Sequence, residues 1–88
     1  LQEAMEAKAI AMGIDADAAR LMTMATIRGA AELMWQSDEP PAKLRQNVSS
    51  PGGTTLAALD HLMGDDALIK LMAKAMEAAR NRSAELGK

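Results

Sequence analysis

Between Asp15 and Ser37 the sequence runs for about six helical turns without a proline, and apolar or small residues occupy most bearings around that stretch. Asp15 is a good N-cap and Asp17 adds negative charge to the first turn, so the pattern predicts a helix from Ala16 to Gln36, the longest of the chain. Leu21, Met24, Ala25, Arg28, Glu32 and Trp35 share one side of it, while Ala18, Met22, Ala25, Gly29, Leu33 and Gln36 trace another. A helix apolar nearly all round must be buried in a core or against another chain. Ala25, Gly29, Ala30 and Ala31 would let a second helix approach closely. With only 88 residues, the chain is one domain at most. A domain between roughly 60 and 150 residues hides only about 60 to 70 percent of its unfolded surface, so a partner chain is expected to help bury this helix.

The rest of the composition fixes the class. There are 19 Ala, 10 Leu and 8 Met against 1 Val, 4 Ile, 1 Trp and no Phe or Tyr. Strands favour β-branched and aromatic residues, whereas Ala, Leu and Met are strong helix formers, so the chain is expected to be all-α: a helical bundle of about five helices with one long central helix. A core without aromatics has to be filled by Met and Leu. Ten basic against twelve acidic residues give a net charge of −2, which supplies no field for nucleic acid. The absence of Cys excludes a disulfide frame, and a single His excludes the usual zinc site. The uncharged stretch Leu21 to Ile27 falls far short of the ~20 residues that cross a bilayer. No membrane and a cytoplasmic location are therefore expected. The opening at Leu1, already in helical register, suggests a piece of something longer.

Around the long helix the chain reads as a series of helices and breaks. Leu1 to Met12 reads as a helix stopped by Gly13. After Gln36, Ser37-Asp38-Glu39-Pro40-Pro41 forms a break, and a proline at the first position suits a short helix from Ala42 to about Val48. A helix starting near Thr54 and ending near Gly64 carries Leu56, Leu59, Leu62 and Met63. Asp65 or Asp66 is expected to cap a last helix whose stripe is Leu68, Leu71, Met72, Ala75, Met76 and Ala79, opposite a charged face of Lys70, Lys74, Glu77, Arg80 and Arg82. Arg28 and Glu32 form an i,i+4 charge pair, read as a surface pair.

Packing does not explain Ser49-Ser50-Pro51-Gly52-Gly53-Thr54-Thr55. Pro51 fixes a backbone angle, the two glycines permit close approach, and several N–H groups then face outward where a helix begins, an arrangement suited to a carboxylate or phosphate. Hydroxyls of Ser49, Ser50, Thr54 and Thr55 add uncharged donors. A phosphate-loop NTPase is excluded because no Lys follows the second glycine. The other reading is a Gly-Gly turn followed by a Ser or Thr helix cap, the commoner use of such residues.

The run Asn47-Val48-Ser49-Ser50-Pro51-Gly52-Gly53-Thr54-Thr55-Leu56-Ala57-Ala58-Leu59, followed by a helix ending Arg80-Asn81-Arg82-Ser83-Ala84-Glu85-Leu86-Gly87, closely resembles the C-terminal region of 1-pyrroline-5-carboxylate reductases. The Met12-Gly13-Ile14 connection, Arg28-Gly29-Ala30-Ala31 and the break at Asp38 to Pro40 fall where that family has them, so the resemblance covers practically all of the chain. It implies that residues 1–88 are the C-terminal dimerisation and substrate-loop domain, an interlocked homodimer, of a two-domain enzyme. The N-terminal Rossmann domain, which would bind NADPH or NADH, is absent, and no Gly-x-Gly-x-x-Gly follows a strand here. The family reduces 1-pyrroline-5-carboxylate to L-proline, the last step of proline biosynthesis, and larger oligomers occur in it. By the same resemblance Ser50 would bind the substrate carboxylate through its side chain, and Gly52, Gly53 and Thr54 through backbone N–H groups. Thr55 would act near the ring nitrogen as the catalytic hydroxyl, Asn47 would line the pocket, and Asp38 or Glu39 would lie near the site. The fragment alone is expected to be inactive.

His61 lies almost two turns beyond Thr55 without a nucleophile beside it, and is read as structural. Trp35 is read as filling space at the end of the long helix or in the dimer contact, and the eight Met as core and interface filling. A non-catalytic helical dimerisation or partner-binding module would share the composition. It would need no chemistry from residues 49–55.

Overall fold

The computed structural model describes residues 1–49 and 52–87, and among them it is all-helical. The elements are α1 (Gln2–Ala11), α2 (Ala16–Gln36), α3 (Pro41–Asn47), α4 (Thr54–Met63), a one-turn 3-10 helix (Gly64–Asp66) and α5 (Ala67–Leu86). The all-α class and the bounds of the long helix are as the sequence predicts; α5, at 20 residues, is almost as long as the 21-residue α2. In place of one bundle core there are two compact units, Leu1–Leu44 and Arg45–Lys88.

In the first unit α1 packs on α2. Gly13, at φ +103, reverses the chain as only glycine does at ease. Its N–H donates to Ile10 O at 3.0 Å and Ile14 N–H donates to Ala9 O at 3.1 Å, the paired bonds of a Schellman ending. The next turn starts α2, where Asp15 Oδ2 accepts from Ala18 N–H at 3.3 Å, the expected cap. The two helices meet at Ala19, fully covered, and at Thr23, the one buried polar residue among those described. Thr23 Oγ1 donates to Ala19 O at 2.9 Å, with Arg20 O at 3.1 Å sharing the proton, and accepts from Gln2 Nε2 at 2.9 Å. A small residue thus permits close approach, and the hydroxyl beside it is satisfied from both helices. Glu32 takes Gln36 as its partner, and Arg28 makes no ion pair among the described residues.

Pro40 O accepts from Lys43 N–H at 2.9 Å and Leu44 N–H at 3.3 Å, so α3 begins on Pro41, where a missing N–H costs nothing.

In the second unit α4 packs on α5 through the turn between them. Gly64 was the expected stop, yet its φ is −57, and the reversal falls on Asp65 and Asp66 at φ 54 and 55. Asp66 occupies the N-cap position of α5, but its carboxylate makes no capping bond. Capping needs an extended backbone that aims the side chain at the following N–H groups, and a left-handed residue does not provide it.

The largest departure concerns burial. Ala19 is the entire buried hydrophobic set among the described residues, and seven of the eight methionines are exposed, Met5 alone being half-buried. Trp35, at 87% exposure, fills no space in its own chain. The face of α2 that packs is the row Ala19, Thr23 and Ile27, which neither of the two expected faces contains, and the apolar side chains of the expected faces stay largely uncovered in this chain.

Left-handed backbone costs a residue with a Cβ roughly 1–2 kcal/mol, less for Asp. Asp65→Gly is expected to raise the unfolding free energy by about 0.5–1 kcal/mol, and Asp65→Val to lower it by at least ~1 kcal/mol. Urea unfolding midpoints check both signs.

Candidate functional site

The start of α4 is built from backbone. Gly53 is its N-cap in an extended conformation, φ −83 and ψ 173, and Ala57 N–H donates to Gly53 O at 3.2 Å as the first helical bond. A glycine has no side chain to offer, and among the described residues no side-chain hydrogen bond caps this end. The opening N–H groups of a helix lack intrahelical acceptors, so those of the first turn, from Thr54 onward, point out of a helix end that carries positive partial charge.

Gly52 precedes this end at φ +71, with open space where a Cβ would stand. Its requirement is conformational rather than steric. Gly52 and Thr54 are exposed, while Gly53 and Thr55 are half-buried. The structure therefore brings Gly52, Gly53, Thr54 and Thr55 together at one helix start. Ser50 and Pro51 lie outside the described residues.

Ser49 differs from expectation. Its hydroxyl donates to Arg45 O at 2.7 Å and its N–H to Gln46 O at 3.1 Å, closing the end of α3. The hydroxyl proton counted as a free donor is committed to a helix carbonyl, a familiar local competition for Ser. Asn47, the last residue of α3, is exposed. Asp38 and Glu39 belong to the other unit, on the connection from α2 to α3, where Glu39 N–H donates to Ser37 Oγ at 3.1 Å. His61, six residues past Thr55, lies about 9 Å farther along α4 and about 120° from it in bearing. It stands apart from the loop.

Sequence reasoning did not find a pocket of about 340 Å³ lined by Leu59, Leu62 and Met63 of α4, Leu68, Ile69 and Met72 of α5, and Arg45 and Asp66. The signal was present as two apolar stripes. Their convergence on one open cleft depends on the turn at Asp65 and Asp66, which periodicity does not encode.

The chain matches the family model described as pyrroline-5-carboxylate reductase dimerisation over residues 1–86. It is similar to the pyrroline-5-carboxylate reductase of Vibrio alginolyticus, 42% identical over 87 residues, covering 98% of this chain and 32% of the relative. Against pyrroline-5-carboxylate reductase 2 of Bacillus subtilis the identity is 38% over 84 residues, 96% of this chain and 30% of the relative. Pyrroline-5-carboxylate reductase 3 of Xenopus laevis is 37% identical over 86 residues, 98% and 31%. The chain thus spans about a third of the length of these relatives. No solved structure matches it.

Because space is open at Gly52 and only its backbone is demanding, Gly52→Ala should cost about 1 kcal/mol, and Gly52→Asn less. Thermal melts of the three chains test that order; equal midpoints would contradict the left-handed assignment.

Proposed function

The chain belongs to the pyrroline-5-carboxylate reductase dimerisation family, and from that we propose that it is the pairing and substrate-loop part of an enzyme that reduces 1-pyrroline-5-carboxylate to L-proline in the cytoplasm. The observation that carries the substrate reading is the start of α4, where glycine supplies the cap position and, among the described residues, no side chain caps the helix donors. A ring carboxylate placed there accepts from the backbone of Gly52, Gly53 and Thr54. The charge-dipole attraction contributes roughly 0.3–1 kcal/mol at a surface and up to about 2 when partly buried. Ser50 adds a hydroxyl and Asn47 a wall.

Thr55 follows on the same turn, and its hydroxyl donates a hydrogen bond toward the ring nitrogen. An unperturbed hydroxyl is a feeble acid, so Thr55 orients the nitrogen and relays a proton from water. NADPH or NADH would provide the hydride when bound. The 88 residues contain no Gly-x-Gly-x-x-Gly turn, and the described ones contain no strand to precede one, so they do not fit a dinucleotide. We assign it to a preceding Rossmann domain.

The pairing reading rests on surface. Two separate compact units of half this mass would together expose roughly 6,000 Å², whereas the chain exposes 7541 Å². The surplus, about 1,500 Å² per chain, is about 3,000 Å² for a pair, within the range of obligate homodimers. Leu21, Met22, Met24 and Leu33 of α2 and Ile69, Leu71 and Met76 of α5 are among the exposed side chains a second copy would cover.

Two measurements test this. Sedimentation should give a dimer at micromolar concentration; a well-folded monomer would sink the pairing. In a protein that joins these residues to a nucleotide-binding domain, Gly53→Val should raise KM for the pyrroline carboxylate at least tenfold. Thr55→Val should lower kcat by about 10 to 100-fold, the loss of one hydrogen bond to a group gaining charge. Dimers unaffected in rate by either change would favour a non-catalytic pairing module.

A further inference from the structure

The chain has no Cys and 8 Met, so every oxidisable sulfur in it is a thioether. Seven of these are exposed, between 41% and 72% of their surface: Met12 at the end of α1 and, on the faces that need covering, Met22, Met24 and Met34 on α2, Met63 at the end of α4, and Met72 and Met76 on α5. Met5 differs, being half-buried on α1. We propose that oxidation of the α2 methionines Met22, Met24 and Met34 by a hydroperoxide blocks pairing of the free protomer, and that pairing in turn shields them. This rests on the homodimer reading above.

The step is balanced. A thioether lone pair attacks the distal peroxide oxygen, an S–O bond forms and the O–O bond breaks. Sulfur loses two electrons, and the peroxide leaves as water or an alcohol after taking up the proton. The sulfoxide is polar, a strong acceptor and chiral where the thioether was apolar and adaptable. Buried between helices it needs a donor: the two hydroxyls of α2 are already committed, Thr23 Oγ1 to Ala19 O and Thr26 Oγ1 to Met22 O at 2.7 Å, and its exposed charged donors, Arg20 and Arg28, would have to leave water to reach a covered sulfoxide. An oxidised α2 therefore keeps its helix but loses its affinity for a second copy. Once two copies are joined, the same sulfurs are inaccessible, and oxidation and assembly compete.

The test treats the 88-residue chain with hydrogen peroxide, dilute enough to be monomeric and, separately, at a concentration where it is paired. Sulfoxides are mapped by peptide mass spectrometry, pairing by sedimentation and helix content by circular dichroism. Expected are sulfoxides at Met22, Met24 and Met34 in the dilute sample and protection of those three in the concentrated one, with Met5 slow in both. The dilute sample should pair at least tenfold more weakly than an untreated one, and methionine sulfoxide reductases should restore it. The Met22→Leu, Met24→Leu, Met34→Leu variant should keep most of its pairing after peroxide, the remaining loss falling to Met72 and Met76 on α5. Sulfoxides at all three positions with a dimer constant within twofold of the untreated chain would overturn the inference while leaving the dimer standing, as would equal loss in the leucine variant. An untreated chain monomeric at micromolar concentration would overturn the dimer reading and the inference with it.

Discussion

The fold depends on a contact too small to bury the apolar surface that surrounds it. α1 and α2 meet at Ala19 and Thr23, where the absence of a bulky side chain allows approach and the threonine hydroxyl binds Ala19 O and Gln2 at once. Among the described residues nothing comparable closes the remaining faces of α2 or those of α4 and α5. Marginal stability arises from small differences between large terms, so a helical pair this thinly packed cannot spare the surface left in water. The proposed second copy would relieve part of that deficit, because an isologous contact buries the same patch on both subunits.

Local chemistry was the most legible part of the sequence. Gly13 announced the end of α1 and Asp15 the start of α2, and both make the bonds that their residue types imply. Pro41 opened α3 as a proline can. Asp65 and Asp66 defeated the same logic: an aspartate serves as a cap or as a tolerated left-handed residue, and the pattern of neighbours does not distinguish the two. Ser49 shows the same ambiguity, its hydroxyl serving the end of α3 rather than the loop. Methionine periodicity identified a face without specifying what lies on it, so Met22, Met24, Met72 and Met76 read as core and interface filling and stand exposed in the single chain.

The candidate site divides along the same line. That Gly52 and Gly53 deliver the chain into a helix start follows from glycine and the apolar spacing of Leu56 and Leu59, and the extended Gly53 cap with no side-chain partner is the local expression of it. The assignment of particular roles to Asn47, Ser50 and Thr55 came from resemblance, since a hydroxyl or an amide near a loop has many uses. The cleft between α4 and α5 escaped both routes, because it is a product of the left-handed turn.

The site and the uncovered surface share α4. Its first turn carries the donors of the loop, while Leu59, Leu62 and Met63 farther along it line the open cleft beside α5. An apolar occupant of that cleft and an anion at the helix start would both stabilise one ten-residue helix, too short to hold itself in water. Each therefore lowers the ordering cost for the other, and the coupling is reciprocal by linkage. With the proposed substrate contact on the element that needs a partner, loop order would be a consequence of assembly, a physical reason for such a contact to sit on a pairing module.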